Sequence, residues 1–261
     1  MFKRFSEDMK KYWNYTKYAV KSELKGETAN SHLGWLWWFL DPLMIMLVYM
    51  FIAEVVFNKS MPYFPIYVFV GLQCWNFFSK TVKGSVKLVR SNKNIIAKVY
   101  LPKIILVLIK MFVQAFKTGM SFLIIAIMMT VYQVPLSINV LYAIPLLIGL
   151  ILFTFGCSAI VLHFGVYVED LSNVINIVLQ LCFYMTGIFY SIKDSVDAPY
   201  NMILLNANPV AYFIYEIRNS LLYATAPNVT VYLVWLVASA MICLLGVNLV
   251  YKNENNYVKS I

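Results

Sequence analysis

Charge is scarce in this 261-residue chain: Asp, Glu, Lys and Arg make up only 13% of it, about half the share of an ordinary soluble domain. That scarcity leaves no room for a sizeable soluble domain. Cysteine is limited to 4 residues. Cys74, Cys157, Cys182 and Cys243 sit in or at the edge of apolar runs without CxxC spacing, so they read as small membrane-packed side chains rather than a metal or disulfide site. The two histidines, His32 and His163, are far apart and lack metal-ligand spacing. No GxxxxGK[ST] loop is present, so the chain is not expected to cradle ATP itself, and neither GxSxG nor HExxH occurs. The Asp-x-Asp pairs of a sugar-nucleotide enzyme are missing as well. No catalytic residue and no metal site is expected.

What the chain has in abundance is apolar surface. It is 61% hydrophobic and 16% aromatic, with a mean hydropathy of +0.72. The expected fold is an all-α polytopic membrane protein, a single transmembrane domain over 1–261. Six apolar runs approach the ~20 residues that cross a ~30 Å hydrocarbon core: 35–57, 63–79, 104–132, 140–166, 172–190 and 229–251. The segment before the first run has no continuous apolar stretch and no small-residue cleavage site, so the first span is expected to act as the insertion signal.

Basic residues orient these spans. Lys3, Arg4, Lys10, Lys11, Lys17, Lys21 and Lys25 precede the first. Lys80, Lys83, Lys87, Arg90, Lys93, Lys98 and Lys103 lie between the second and third, and Lys252 and Lys259 lie in the tail. The positive-inside rule puts both termini in the cytoplasm. It also accounts for the net charge of +9, so no nucleic-acid partner is expected.

Three segments are neither span nor simple loop. Residues 2–24, within 1–30, place Phe2, Phe5, Met9, Tyr12, Trp13, Val20 and Leu24 on one face of a basic amphipathic helix suited to the headgroup region. The link 80–103 reads as a basic amphipathic helix over 84–98, either a solvated connector or a dock for a soluble subunit. The stretch 191–226, punctuated by Pro199 and Pro209, is too short and interrupted to span. A pair of short helices, re-entrant or lying at the outer surface, fits it. Backbone of that kind survives at membrane depth only where it is buried in protein or lines water. The triplets Asn58-Lys59-Ser60 and Asn228-Val229-Thr230 fit a glycosylation pattern by chance as readily as by design.

Polar residues inside spans face protein or water far more often than lipid. Lys110, Gln114 and Lys117 form one stripe on the third span. Lys110 is able to snorkel. Lys117 lies about 20 Å along the helix from Ile104, which leaves two readings: a buried partner for Asp41 or Glu54 on the first span, or the polar wall of a conduit. Trp35, Trp37 and Trp38 read as interface anchors, and Asp41-Pro42 as first turns of a span that faces protein or a channel mouth. Near Gly187, Phe183, Tyr184, Phe189 and Tyr190 form either a sugar-stacking surface or an aromatic belt.

The order of LGWLWWFLDPL, PYFPIYVFVGLQCWNFF, NKNIIAKVYLPKIIL, VEDLSNVINIVLQ, FYMTGIFYS and NPVAYFIYEIRNSLL resembles the permease subunit of type-2 ATP-binding-cassette (ABC) exporters. The resemblance is to the branch that moves lipid-linked polysaccharides, O-antigens and teichoic acids, and it covers essentially the whole chain. It implies a homodimer bound to two copies of an ABC ATPase, with ATP and Mg held by that partner and no cofactor on this chain. It implies a lipid-linked glycan and membrane lipids as the other partners, in a bacterial plasma membrane. Candidate substrate-channel residues on this resemblance are Trp38, Asp41, Tyr49, Lys117, Tyr184 and Tyr190. Coupling to the ATPase falls on Lys87, Arg90 and Asn94 in 84–98, and the outer gate on Asn208, Pro209 and Arg218 in 191–226. Where the family often has Arg-Asp before the fifth span, this chain has Glu169-Asp170. The competing expectations are a drug or small-lipid exporter of the same superfamily, and a membrane-embedded glycosyl or phosphoglycosyl transferase.

Overall fold

A chain this apolar must satisfy its own backbone hydrogen bonds, and the α-helix does so within one segment. The computed structural model describes residues 2–29, 32–52 and 61–257, and every regular element among them is helical. In order they are α1 (Phe2–Thr28), α2 (Trp37–Phe51), α3 (Phe64–Ser85), α4 (Leu88–Ser91), α5 (Lys93–Ile96) and α6 (Lys103–Val131). They continue with α7 (Ala143–Tyr167), α8 (Leu171–Met185), α9 (Ile192–Ser195), α10 (Tyr200–Ala207), α11 (Pro209–Leu222) and α12 (Val229–Tyr257). Single 3-10 turns, Gly34–Leu36 and Ile138–Tyr142, lead into α2 and α7. Glu54, the expected end of the first span at 53–57, the Asn58-Lys59-Ser60 triplet and Lys259 lie outside the described residues.

Four helical stretches are long and apolar enough to cross a membrane: Gly34–Phe51, Lys103–Val131, Ile138–Tyr167 and Val229–Tyr257. They coincide with the first, third, fourth and sixth expected spans. The other two differ from expectation in informative ways. α3 runs on to Ser85 rather than stopping near 79, and it is buried without a break from Phe64 to Trp75. Asn76, Lys80 and Lys83 then lower the hydropathy of its second half, so it is a central helix with a polar end. α8 has 15 residues, about 22 Å at 1.5 Å per residue, short of a ~30 Å core. The expected 172–190 span instead ends in a turn over 186–190.

The link expected as one helix over 84–98 is two single-turn helices, α4 and α5. Asn92 separates them, its side-chain amide donating to the Leu88 carbonyl at 2.8 Å, so α4 is capped instead of continued. The 191–226 segment forms α9, α10 and α11. Asn208 caps α11 by accepting from the amides of Val210 (3.1 Å) and Ala211 (3.3 Å), with Pro209 at the first helical position. Asn228 does the same for α12, accepting from Thr230 and Val231.

The core forms where α3, α6, α7, α11 and α12 converge. α7 and α12 approach backbone to backbone at Gly156 and Gly246: a Cβ on Gly156 would fall 2.6 Å from the Cys243 backbone nitrogen, and one on Gly246 would fall 2.7 Å from the Gly156 carbonyl oxygen. Small residues at such crossings are how helices pack when lipid is the competing solvent.

Candidate functional site

Three groups of polar and aromatic side chains stand out against the apolar body. The first runs along the N-terminal helix. α1 packs against the first half of α6, starting where Tyr12 donates to the Tyr100 carbonyl (3.2 Å). Farther along, Glu23 meets Lys110 at 2.6 Å, and Glu27 meets Lys117. Among the described residues the partner of Lys117 is therefore Glu27 rather than Asp41; Glu54, the other expected partner, lies outside them. α1 accompanies α6 up to the level where α2 begins, and Lys117 lies 5.7 Å from the Trp38 ring centre. Its distance along α6 overstates its depth, because the tryptophan cluster of the α1–α2 elbow lies beside it.

Asp41 is exposed and makes no ion pair among the described residues, but it lines the same cavity as Lys117, of about 330 Å³. α2 and α3 supply Trp37, Trp38, Gln73, Asn76 and Lys80 to that cavity, and α6 supplies Gln114, Thr118 and Ser121. Glu27 closes the side formed by α1. Trp38 is held edge-on against Phe116, with ring centres 6.0 Å apart. Because Glu27 and Lys117 are only partly exposed, their pair is expected to contribute more than a surface ion pair, for which ~0–1 kcal/mol is usual. Lys117→Glu should lower the thermal midpoint of the purified chain by several degrees, and adding Glu27→Lys should restore most of the loss. A charge-swapped double mutant no more stable than Lys117→Glu would disprove the pairing.

The second group is a cleft of about 420 Å³ between α3 and α8. Asn76, Ser79, Lys80 and Lys83 line one wall, and Asn176, Gln180 and Tyr184 the other. The side-chain oxygen of Asn176 is buried without a hydrogen-bond partner. Asn76 and Lys80 line both this cleft and the elbow cavity. Above the cleft, Tyr49 of α2 stacks on Phe189 with ring centres 3.4 Å apart, Tyr190 donates its hydroxyl to the Tyr184 carbonyl (2.9 Å), and Tyr67 donates to the Tyr190 carbonyl (3.2 Å). Of the expected channel residues, Tyr49, Tyr184 and Tyr190 thus gather at one end and Trp38, Asp41 and Lys117 at the other.

The third group centres on Arg218. Its guanidinium is 1% exposed and donates to the carbonyls of Tyr67, Gly187 and Ile188, each at 2.8 Å. It also lies 3.7 Å from the Tyr67 ring centre. One side chain thereby ties α11 to α3 and to the turn that ends α8. Asn208 and Pro209 serve this arrangement by starting α11. On the connector, Arg90 pairs with Glu169 at 2.9 Å and donates to the Val166 carbonyl at 3.2 Å, bridging α4 to the end of α7. Glu169 is thus an ion-pair partner of the connector. Lys87 and Asn94 are exposed.

Sequence reasoning missed Glu23 and Glu27 as the partners of the α6 lysines, and it missed Gln73, Asn76, Lys80, Asn176 and Gln180 as cavity lining. The first two carried a readable signal, two acids one turn apart at the end of an otherwise basic amphipathic helix.

Known proteins share this sequence pattern. Residues 15–222 match the family model described as ABC-2 type transporter. An O-antigen export system permease protein RfbA of Myxococcus xanthus is 30% identical over 73% of this chain and 74% of its own length. A protein of the same description from Klebsiella pneumoniae is 27% identical over 79% of each. With four helices of spanning length and apolarity, the chain is a multi-pass membrane protein, and it belongs to the ABC-2 type transporter family.

Proposed function

We propose that this chain is the permease subunit of an ATP-driven exporter that carries a lipid-linked polysaccharide of the O-antigen type across the plasma membrane. Two copies build the channel and a separate ATPase chain supplies the power. The observation that carries this reading is the state of α2 and α8. Pro42 and Met46 are the only buried residues of α2, and Leu179 is the one buried residue of α8. Between α8 and α3 runs a polar cleft, with Asn176, Gln180 and Tyr184 along its α8 wall. A lone chain would show these apolar faces to lipid and leave the cleft half built; a second copy against α2 and α8 closes it. The aromatic rings of Tyr49, Tyr184 and Tyr190 at one end suit the C–H faces of sugars, with hydroxyls left for hydrogen bonds.

In this reading all six expected runs cross the membrane. α3 does so as a buried central helix, and α8 is completed by the 186–190 turn whose carbonyls Arg218 satisfies. The basic end, with α1, α4, α5 and both termini, faces the cytoplasm. α4 and α5 receive the ATPase, with Lys87, Arg90 and Asn94 at the contact. The Arg90–Glu169 pair is partly exposed and contributes little stability of its own; it passes movement of α4 to the α7–α8 corner. α9, α10 and α11 form the outer gate. The similarity to O-antigen export permeases supports the glycan as cargo.

The test is genetic and uses intact cells. Deleting the gene in its own host should remove the polymer from the surface and leave it inside, and the wild-type gene should restore it. Arg90→Glu should restore export poorly while inserting normally, and Arg90→Glu with Glu169→Arg should recover much of it. Surface polymer unchanged in the deletion strain would overturn the reading.

A further inference from the structure

The elbow cavity contains something that a membrane anchor does not need. Gln73 lines it from the centre of α3, is 4% exposed, and its side-chain nitrogen has no hydrogen-bond partner. A buried amide left unpaired costs about 1–3 kcal/mol, and such groups in a native fold call for a partner. Around Gln73 the cavity offers amide and hydroxyl groups from Asn76, Gln114 and Ser121, together with two indoles. The Trp37 indole is 50% exposed.

Charge decides what kind of partner fits. Lys117 is already neutralised by Glu27, and the remaining acid and base of the lining, Asp41 and Lys80, balance each other. A lining with no net charge has no preference for a phosphate. Flat aromatic faces beside amides and hydroxyls are the surface that a polyol with apolar C–H patches demands. At about 330 Å³ the cavity is at the small end of ligand pockets.

We propose that this cavity is a saccharide subsite that takes one neutral pyranose ring, stacked on the Trp37–Trp38 indoles and hydrogen-bonded by Gln73. It is separate from the α3–α8 cleft, and Asn76 and Lys80 line both. A ring leaving the subsite therefore crosses only one face of α3 to reach the cleft. That the ring belongs to a transported glycan rests on the export reading above; the binding chemistry does not.

Saturation-transfer NMR on the full chain tests the proposal, in nanodiscs of phosphatidylethanolamine and phosphatidylglycerol without sugar detergents. The probes are methyl α-mannopyranoside, methyl β-galactopyranoside and glucose 1-phosphate. Transfer to at least one neutral glycoside is expected. Gln73→Met, which keeps volume and removes the hydrogen bond, should reduce it at least five-fold. Trp37→Leu, at an exposed position that does not threaten folding, should do the same. Ile138→Ala, on the exposed turn before α7 and in neither cavity, should leave it unchanged. No transfer to either neutral glycoside, equal transfer in all variants, or binding of glucose 1-phosphate alone would overturn the subsite. Absent transfer beside intact export removes the subsite and leaves the export reading standing. The expected transfer pattern beside unchanged surface polymer in the deletion strain does the reverse.

Discussion

Arg218→Leu is expected to destabilise the purified chain by about 3–5 kcal/mol, because it leaves three buried backbone carbonyls without their donor. Carbonyls of Tyr67, Gly187 and Ile188 each receive one guanidinium hydrogen bond at 2.8 Å, and an orphaned buried acceptor costs about 1–3 kcal/mol. Arg218→Lys keeps the charge but has no planar fork, so it should fall between the wild type and Leu. Gly71 gives a test that leaves Arg218 in place, because a Cβ there would lie 1.8 Å from the guanidinium Nη2. Gly71→Ala should therefore reproduce much of the loss. Thermal unfolding should rank wild type above Arg218→Lys, with Arg218→Leu and Gly71→Ala lowest. A midpoint for Arg218→Leu within two degrees of wild type would show that the three carbonyls find other donors. The same variants should weaken export more than insertion, because the turn that positions Phe189 and Tyr190 hangs from this one side chain.

Local features of the fold were legible because they are written in consecutive residues. The 3.6-residue spacing of Phe5, Met9, Tyr12 and Trp13 marks α1, the pair Asn208-Pro209 marks the start of α11, and the long apolar runs mark α6, α7 and α12. Span counting was harder. Apolar content reports exposure to lipid, and α3 is enclosed by other helices, so it tolerates Gln73, Asn76 and Lys80 where a lipid-facing helix would not. α8 fell short for the opposite reason. A side chain 30 residues away in sequence, Arg218, satisfies backbone carbonyls beyond its end, so the chain leaves the helix early without penalty. No periodicity within 172–190 records that.

Partner identities were the least legible part of the site. Asp41 and Lys117 share a cavity, but ionic pairing went to Glu27, on an element that sequence periodicity places but does not aim. The polar residues of α3 acquire meaning only from what faces them. Asn76 looks out of place in an apolar run, yet it belongs to two cavities because α2 and α6 pack on one of its sides and α8 on the other.

The longest-range coupling gives the second large effect. Glu254, near the end of α12, is 2% exposed and is bound by Arg4 from the other end of the chain. Tyr100 donates to it at 3.0 Å and is itself met by Arg4 at 2.9 Å. Burial, then the Glu254 carboxylate, raises the Tyr100 phenol above its ordinary range, so it remains a proton donor. Arg4 also lies over the Tyr251 ring at 4.4 Å, and Tyr251 donates to Asp8 at 2.9 Å. α1, the segment leading into α6 and the end of α12 thus meet at one carboxylate, whose second oxygen has no partner among the described residues. The two ends of the pair are unequal. Arg4 is half open to water, but Glu254 is not, so losing Arg4 strands a buried charge. Arg4→Met should cost about 2–4 kcal/mol, while Glu254→Leu, which leaves a hydratable guanidinium but also takes the carboxylate away from buried Lys103, should cost less, about 1–2 kcal/mol. The double mutant should be more stable than Arg4→Met alone, because an apolar pair replaces a buried ion pair with little or no penalty. Denaturation of the four proteins of this cycle measures the coupling directly. Additive losses would mean that α1 is fastened by its lysine-facing acids, Glu23 and Glu27, and that the clasp at Glu254 carries no load.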